Sequence, residues 1–208
     1  HAFELEESSA VCGGLARQAM RLNKNAEVAE LFAGLTSRQP ALPFAWFYLG
    51  QVLVEDSQAA AARRAMEQYL SLDPEDKLGS QLVLGAGSAI PLPDGPSEAY
   101  LKNFYRSRAA HWDETVVEAY NGHDIIMGAF DMCLSGGHIA ARVLDAGCGT
   151  GSLGVRMKPS VGSLDGVDLS PHMVGKAQEK NIYDTLETGD LFNFLVAHED
   201  TYDIVVAA

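Results

Sequence analysis

The stretch Arg142–Gly154, RVLDAGCGTGSLG, constrains this chain more than any other. Four glycines, Gly147, Gly149, Gly151 and Gly154, follow directly on an apolar run. Glycine lets a backbone turn sharply and lets N–H groups approach a ligand with no Cβ in the way. Such a run predicts a short buried strand closed by Asp145, a glycine turn, and a helix starting near Ser152. The helix would aim its positive end at the turn.

Two frames fit these glycines. From Gly149, GTGSLG matches the G-x-G-x-x-G dinucleotide fingerprint. From Asp145, DAGCGTG matches a loop that holds S-adenosylmethionine. In the first frame the strand should run apolar into the first glycine, with a pyrophosphate above the turn. Asp145 and Gly147 would then lie inside the strand, where a charge is costly. In the second frame Asp145 sits at the strand's tip and faces a ligand with a cationic amino-acid end and no phosphate. The second frame is preferred, and a nicotinamide-dependent oxidoreductase is the minor alternative.

The following segments extend the pattern. LDGVDLS places Asp168 at the end of a second strand, where a carboxylate can accept both ribose hydroxyls, a feature shared with NAD sites. Ser170 caps the next helix and Pro171 takes its first position. ETGDLFNF puts Asp190 at the end of a third strand, ahead of Leu191 and Phe192. That suits a carboxylate at an adenine amino group beside an apolar wall, or a helix N-cap. TYDIVVAA reads as a fourth strand buried on both faces. Strands alternating with helices give an α/β fold with a Rossmann-like parallel sheet.

The front of the chain differs. Residues 1–90 carry apolar residues at helical spacing, and Pro91, Pro93, Gly95 and Pro96 mark residues 91–99 as a linker. Residues 100–208 form the α/β domain. Pro40 and Pro74 lie 34 residues apart, and at that offset Leu15 matches Leu49, Ala16 matches Gly50, and Phe32 matches Met66. Trp46, Leu49, Gly50, Leu53, Ala62, Met66 and Pro74 fit the tetratricopeptide pattern, with Cys12 at the Trp position of a degenerate first copy. Small Gly50 and Ala62 let paired helices approach, and Trp46 should face the second helix of its pair. Residues 76–89 are the candidate capping helix.

Composition narrows the partners. Fifteen basic residues face 28 acidic ones, a net charge of −13 with no basic run, which argues against nucleic acid. Cys12, Cys133 and Cys148 give neither a disulfide framework nor a metal signature, so the expectation is a reducing cytoplasm. No apolar run reaches a membrane span. Cys148 reads as a loop spacer, and His111, His123 and His138 as surface or core histidines without metal-ligand spacing. Met173 reads as a core residue of its helix.

VLDAGCGTG, LDGVDLSPHMV, TGDL and YDIVVAA, in this order, resemble the successive motifs of class I S-adenosylmethionine-dependent methyltransferases. With the helical front end, residues 43–208 resemble a bacterial group of such proteins carrying tetratricopeptide repeats. The resemblance implies that Asp145, Gly147, Gly149 and Gly151 hold the methionine end of S-adenosylmethionine. It implies Asp168 at the ribose, with Leu169 beside the adenine, and Asp190 and Leu191 bracketing that ring. FYRSRAAHWDETVV resembles the aromatic segment that covers the cofactor in many of these enzymes, with Tyr105 and Trp112 as covering residues; packing alone would explain both equally well.

The resemblance names neither a methyl acceptor nor a catalytic base, and it implies a sheet of order 3-2-1-4 that continues beyond the fourth strand. His1 in place of Met, and an end at Ala208, read as a fragment whose own activity is in doubt. A cut there would leave an edge that invites self-association. The helical repeats would dock a protein partner or the acceptor. The alternative function is a non-catalytic module that binds the cofactor or a partner.

Overall fold

The computed structural model describes residues 2–87, 89–91, 93–115, 121–134 and 139–207, so His138 and Ala208 lie outside the described residues. The chain divides into two compact units, His1–Tyr100 and Leu101–Ala208.

The first unit is helical: α1 (Ala2–Leu22), α2 (Asn25–Arg38), α3 (Pro43–Glu55), α4 (Ala59–Leu72) and α5 (Ser80–Ala86). α2 and α4 are offset by 34 residues at both ends. The offset extends to backbone detail. Asn23 and Ser57, each in the turn before its helix, take left-handed φ values of 54° and 58°. Lys24 N donates to Ala19 O and, 34 residues on, Gln58 N donates to Leu53 O. Pro43 begins α3, where its missing N–H costs nothing.

The core of this unit gathers Ala16, Phe32, Val52, Ala62, Met66 and Tyr69. A Cβ on Gly50 would lie 2.8 Å from Met66 Cε, so the glycine makes room for the thioether between α3 and α4. Tyr69 is fully buried; its hydroxyl donates to Asp73 Oδ2 at 2.9 Å and accepts from Leu78 N at 2.9 Å. Asp76 then accepts from Ser80 N and Gln81 N, which starts α5. Trp46 is half-buried; its Nε1 donates to Pro40 O, and its ring lines a cleft of about 570 Å³ with Leu49, Ala61 and Ala65.

α6 (Glu98–Arg106) crosses the division between the units. In the second unit α7 (Trp112–Thr115) and α8 (Gly122–Cys133) precede β1 (Ile139–Ala146), α9 (Ser152–Met157), β2 (Val161–Asp168), α10 (Pro171–Glu179), β3 (Thr185–Thr188), α11 (Leu191–Ala197) and β4 (Ile204–Ala207). All strand pairs are parallel and the order is β3-β2-β1-β4, a Rossmann-like sheet. β1 therefore sits inside the sheet, with Asp145 opposite Gly166 of β2 and Val206 of β4. One face packs Val143, Leu153, Met157, Leu164 and Phe130. The other packs Leu144, Ala146, Val167 and Phe194. Met173 is buried in α10.

β4 departs from the sequence expectation. Its apolar run predicts burial on both faces, but only Val206 is buried and Val205 is 51% exposed. Among the described residues β4 pairs with β1 alone, and one face is packed, with Val206 and Ile204 against the cluster of Val143 and Phe130.

Overpacking a filled core costs about 1–3 kcal/mol. Gly50→Val should lower the unfolding free energy of the helical unit by that amount. Urea denaturation followed by Trp46 fluorescence in a Trp112→Phe background checks it; an unchanged midpoint would mean that Met66 yields freely.

Candidate functional site

β1 delivers its chain to the turn that follows. Gly147 N and Cys148 N both donate to Val167 O, at 2.8 and 3.0 Å, which folds the loop over the end of β2. Gly147, Gly149 and Gly151 have φ values of 75°, 54° and 83°, a region L side chains rarely adopt. They serve two purposes. A Cβ on Gly147 or Gly149 would meet nothing within 4 Å, so these two border open space. A Cβ on Gly151 would sit 3.0 Å from Tyr183 Cε2, and one on Gly154 would collide with the Tyr183 hydroxyl. Gly154, the third glycine of the dinucleotide frame, thus makes room for a tyrosine.

Asp145 lies within β1, one residue before its end, and is 1% exposed. It thus stands at the C-terminal end of the strand, where the sequence reading put it, but buried instead of open to solvent. Its Oδ2 accepts a hydrogen bond from Tyr183 Oη at 2.6 Å. Burial pushes its carboxyl up, the Tyr183 bond pulls it back, and the charge of Asp168 raises it further, to about 6. A hydrogen bond to a charged group contributes about 1.5–3 kcal/mol, which offsets part of the cost of a charge in the strand. No local sequence signal pointed to Tyr183, which lies 38 residues from Asp145.

Asp168 ends β2. Its Oδ2 accepts from Gly149 N at 2.9 Å and its Oδ1 from Ser170 N at 2.8 Å. Burial outweighs those two bonds and raises its carboxyl above the ordinary value. Each oxygen retains accepting capacity for a ligand hydroxyl. Ser170 caps α10 by accepting from Met173 N. Leu169 is half-buried beside them. Burial pushes the Cys148 thiol up, with the charges of Asp145 and Asp168 adding to it, so it stays protonated and non-nucleophilic.

Asp190 lies beyond β3 and caps α11, accepting from Asn193 N at 2.9 Å. The N-cap reading therefore describes its bonding, and its side chain is exposed. Leu191 is half-buried against the cluster of Leu144, Val167 and Phe194.

One residue outside the sequence expectations ties the preceding segment to the loop. Asp113 of α7 accepts from Thr150 Oγ1, from Ser152 Oγ at 2.7 Å and from Lys180 Nζ at 2.7 Å. Burial pushes Asp113 up, but these three donors outweigh it and hold it below the ordinary carboxylate value. Its neighbour Trp112 meets Tyr105 edge to face at 5.4 Å. Trp112 thus precedes the residue bonded to Thr150 and Ser152, and Tyr105 packs against it. His111 is exposed beside Glu114, and His123 is half-buried. Among the described residues no group of His, Cys, Asp and Glu could hold a metal ion, and no helix is long and apolar enough to cross a membrane.

Residues 143–208 match a family model described as a methyltransferase domain. Among solved structures the chain is similar to the DhpI–SAH complex, at 25% identity and TM-score 0.39, over 50% of this chain and 49% of that one. It is also similar to a Haloferax volcanii complex between the Trm112 methyltransferase activator and a putative methyltransferase, at 24% identity and TM-score 0.38, over 50% and 46%. A third is a TehB-like SAM-dependent methyltransferase from Corynebacterium glutamicum, at 22% identity and TM-score 0.35, over 50% and 54%. The chain thus spans about half the length of these solved chains. No curated protein matches it.

A carboxylate held below its ordinary value gives its full contribution at neutral pH and loses it as the pH falls through the lowered value. Asp113→Asn should therefore loosen α7 at pH 7. Hydrogen exchange should quicken at the amides of residues 109–115 and little in β1 or β2. Equal exchange in both proteins would show that the segment is held by packing instead.

Proposed function

We propose that the Leu101–Ala208 unit binds S-adenosylmethionine and serves methyl transfer to an acceptor not identified by these residues. The observation that carries this reading is the charge at the glycine turn. Asp145 and Asp168 stand together there, and among the described residues their hydrogen-bond donors are a tyrosine hydroxyl and backbone N–H groups, with no cation. A pyrophosphate would be repelled by two carboxylates, whereas a sulfonium and an ammonium are attracted. The methyltransferase-domain match over residues 143–208 supports the same reading.

The residues fit such a cofactor. The open sides of Gly147 and Gly149 form a cradle that any Cβ would begin to fill. When bound, the cofactor supplies a methyl group activated by its positive sulfur. The loop and Asp145 hold the amino-acid end, and Asp168 accepts ribose hydroxyls. Leu169, Asp190 and Leu191 take the adenine side, and Trp112 with Tyr105 covers the site under the hold of Asp113. Methyl transfer is an in-line displacement, so the chain's task is alignment and exclusion of water.

We further propose the helical unit as a tetratricopeptide-like module that docks a protein partner or the acceptor. Its 34-residue recurrence in helix limits, turn geometry and capping bonds supports this.

Calorimetric titration with S-adenosylhomocysteine and with NAD tests the cofactor reading; binding of NAD alone would overturn it. Asp168→Ala should weaken S-adenosylhomocysteine binding by about 1–3 kcal/mol, because two ribose hydroxyls lose their partner. An unchanged dissociation constant would remove Asp168 from the ribose.

A further inference from the structure

We propose that Tyr183 is a positioning residue for the cofactor loop that acts through Asp145: its ring is the floor on which the glycine turn rests, and its hydroxyl fixes the carboxylate beneath that turn. This rests on the S-adenosylmethionine reading of the site.

The backbone is built around this ring. Gly151 in the turn, Gly154 in α9 and Gly166 in β2 each lack a Cβ where Tyr183 lies. At Gly166 the added atom would be 2.9 Å from Tyr183 Cε1. Three glycines, two at the start of α9 and one in β2, thus converge on one aromatic side chain, whose hydroxyl reaches Asp145 Oδ2 at 2.6 Å. Burial, reinforced by the charge of Asp145, pushes the phenol far up, so it remains a neutral donor.

The titratable groups facing Asp145 are Asp168 at the end of β2, Cys148 in the turn and Tyr183 itself. The strand partners Gly166 and Val206 carry no charge. Asp168 and burial both favour protonated Asp145, and Tyr183 opposes them. A protonated Asp145 offers no charge to a cationic amino-acid end. The loop's hold should therefore strengthen as the pH rises through about 6. Without the hydroxyl the carboxyl rises further, and the hold is lost at a higher pH.

The test is Tyr183→Phe, which keeps the ring in its three-glycine seat. Two quantities are followed from pH 5.5 to 8: the dissociation constant for S-adenosylhomocysteine, and the carbon-13 carboxyl resonance of Asp145 in the free protein. The expected result is an upward shift of the Asp145 midpoint in the variant. Its binding curve should shift with it, so that affinity at pH 6 falls below that of the wild type, by about fivefold for a midpoint raised one unit from about 6. Asp145→Asn should remove this part of the pH dependence and leave only that of Asp168.

Superimposable binding profiles for wild type and Tyr183→Phe would overturn the proposal, as would an unmoved Asp145 resonance. If Tyr183→Phe does not fold, the wild type decides: the ring resonances of Tyr183 must titrate with the Asp145 carboxyl and with the binding curve at one midpoint, and Tyr183 resonances that do not follow Asp145 overturn the proposal. Absence of S-adenosylhomocysteine binding at every pH would instead remove the cofactor reading, while the resonance still reports on Tyr183 and Asp145.

Discussion

A buried carboxylate in the middle of a parallel sheet is the constraint around which the second unit is arranged. Asp145 has almost no exposure, and a lone charge there would be expensive. One phenol meets it. To place that phenol, the chain between α10 and β3 brings Tyr183 under the glycine turn, and the turn, α9 and β2 each give up a side chain where the ring passes. The loop's shape and the sheet's composition at Gly166 follow from the same contact. So does the closeness of α9 to the sheet.

The glycines of the loop therefore divide by physical purpose. Gly147 and Gly149 bend the backbone and leave room on the open side. Gly151 and Gly154 leave room on the inner side. The three glycines of the G-x-G-x-x-G frame thus answer to different demands, Gly149 to a left-handed bend and Gly151 and Gly154 to the tyrosine ring. Asp113 then reaches Thr150 and Ser152 from a segment that precedes the sheet, so that the hydroxyls flanking Gly151 are held from outside as Tyr183 holds the loop from within.

Much of this was legible in the sequence because it is local. The strand–turn–helix at Arg142–Gly154, the caps at Ser170 and Pro171, and the 34-residue recurrence between Pro40 and Pro74 are patterns within short windows. The strand order followed from the resemblance. What escaped notice joins residues far apart: Tyr183 with Asp145, and Asp113 with Lys180, whose ion pair closes 67 residues of chain. Neither pair leaves a periodic trace in the sequence. Local rules also misjudged Asp145, because they priced its charge without knowing its partner, and β4, because an apolar run reports a preference for burial and not whether a neighbour supplies it. At Asp190 the two sequence readings were both open, and the bond to Asn193 N accounts for the side chain as a cap.

The turns at Asn23 and Ser57 show how differently far the constraints of the two units reach along the chain. Each of these turns closes with the same backbone bond and the same left-handed backbone conformation, ahead of a helix of the same length. A 34-residue step along the front unit therefore meets the same local demand twice. In the sheet unit the demand is met only once, because Tyr183, Asp145 and three glycines must reach one point from distant parts of the chain.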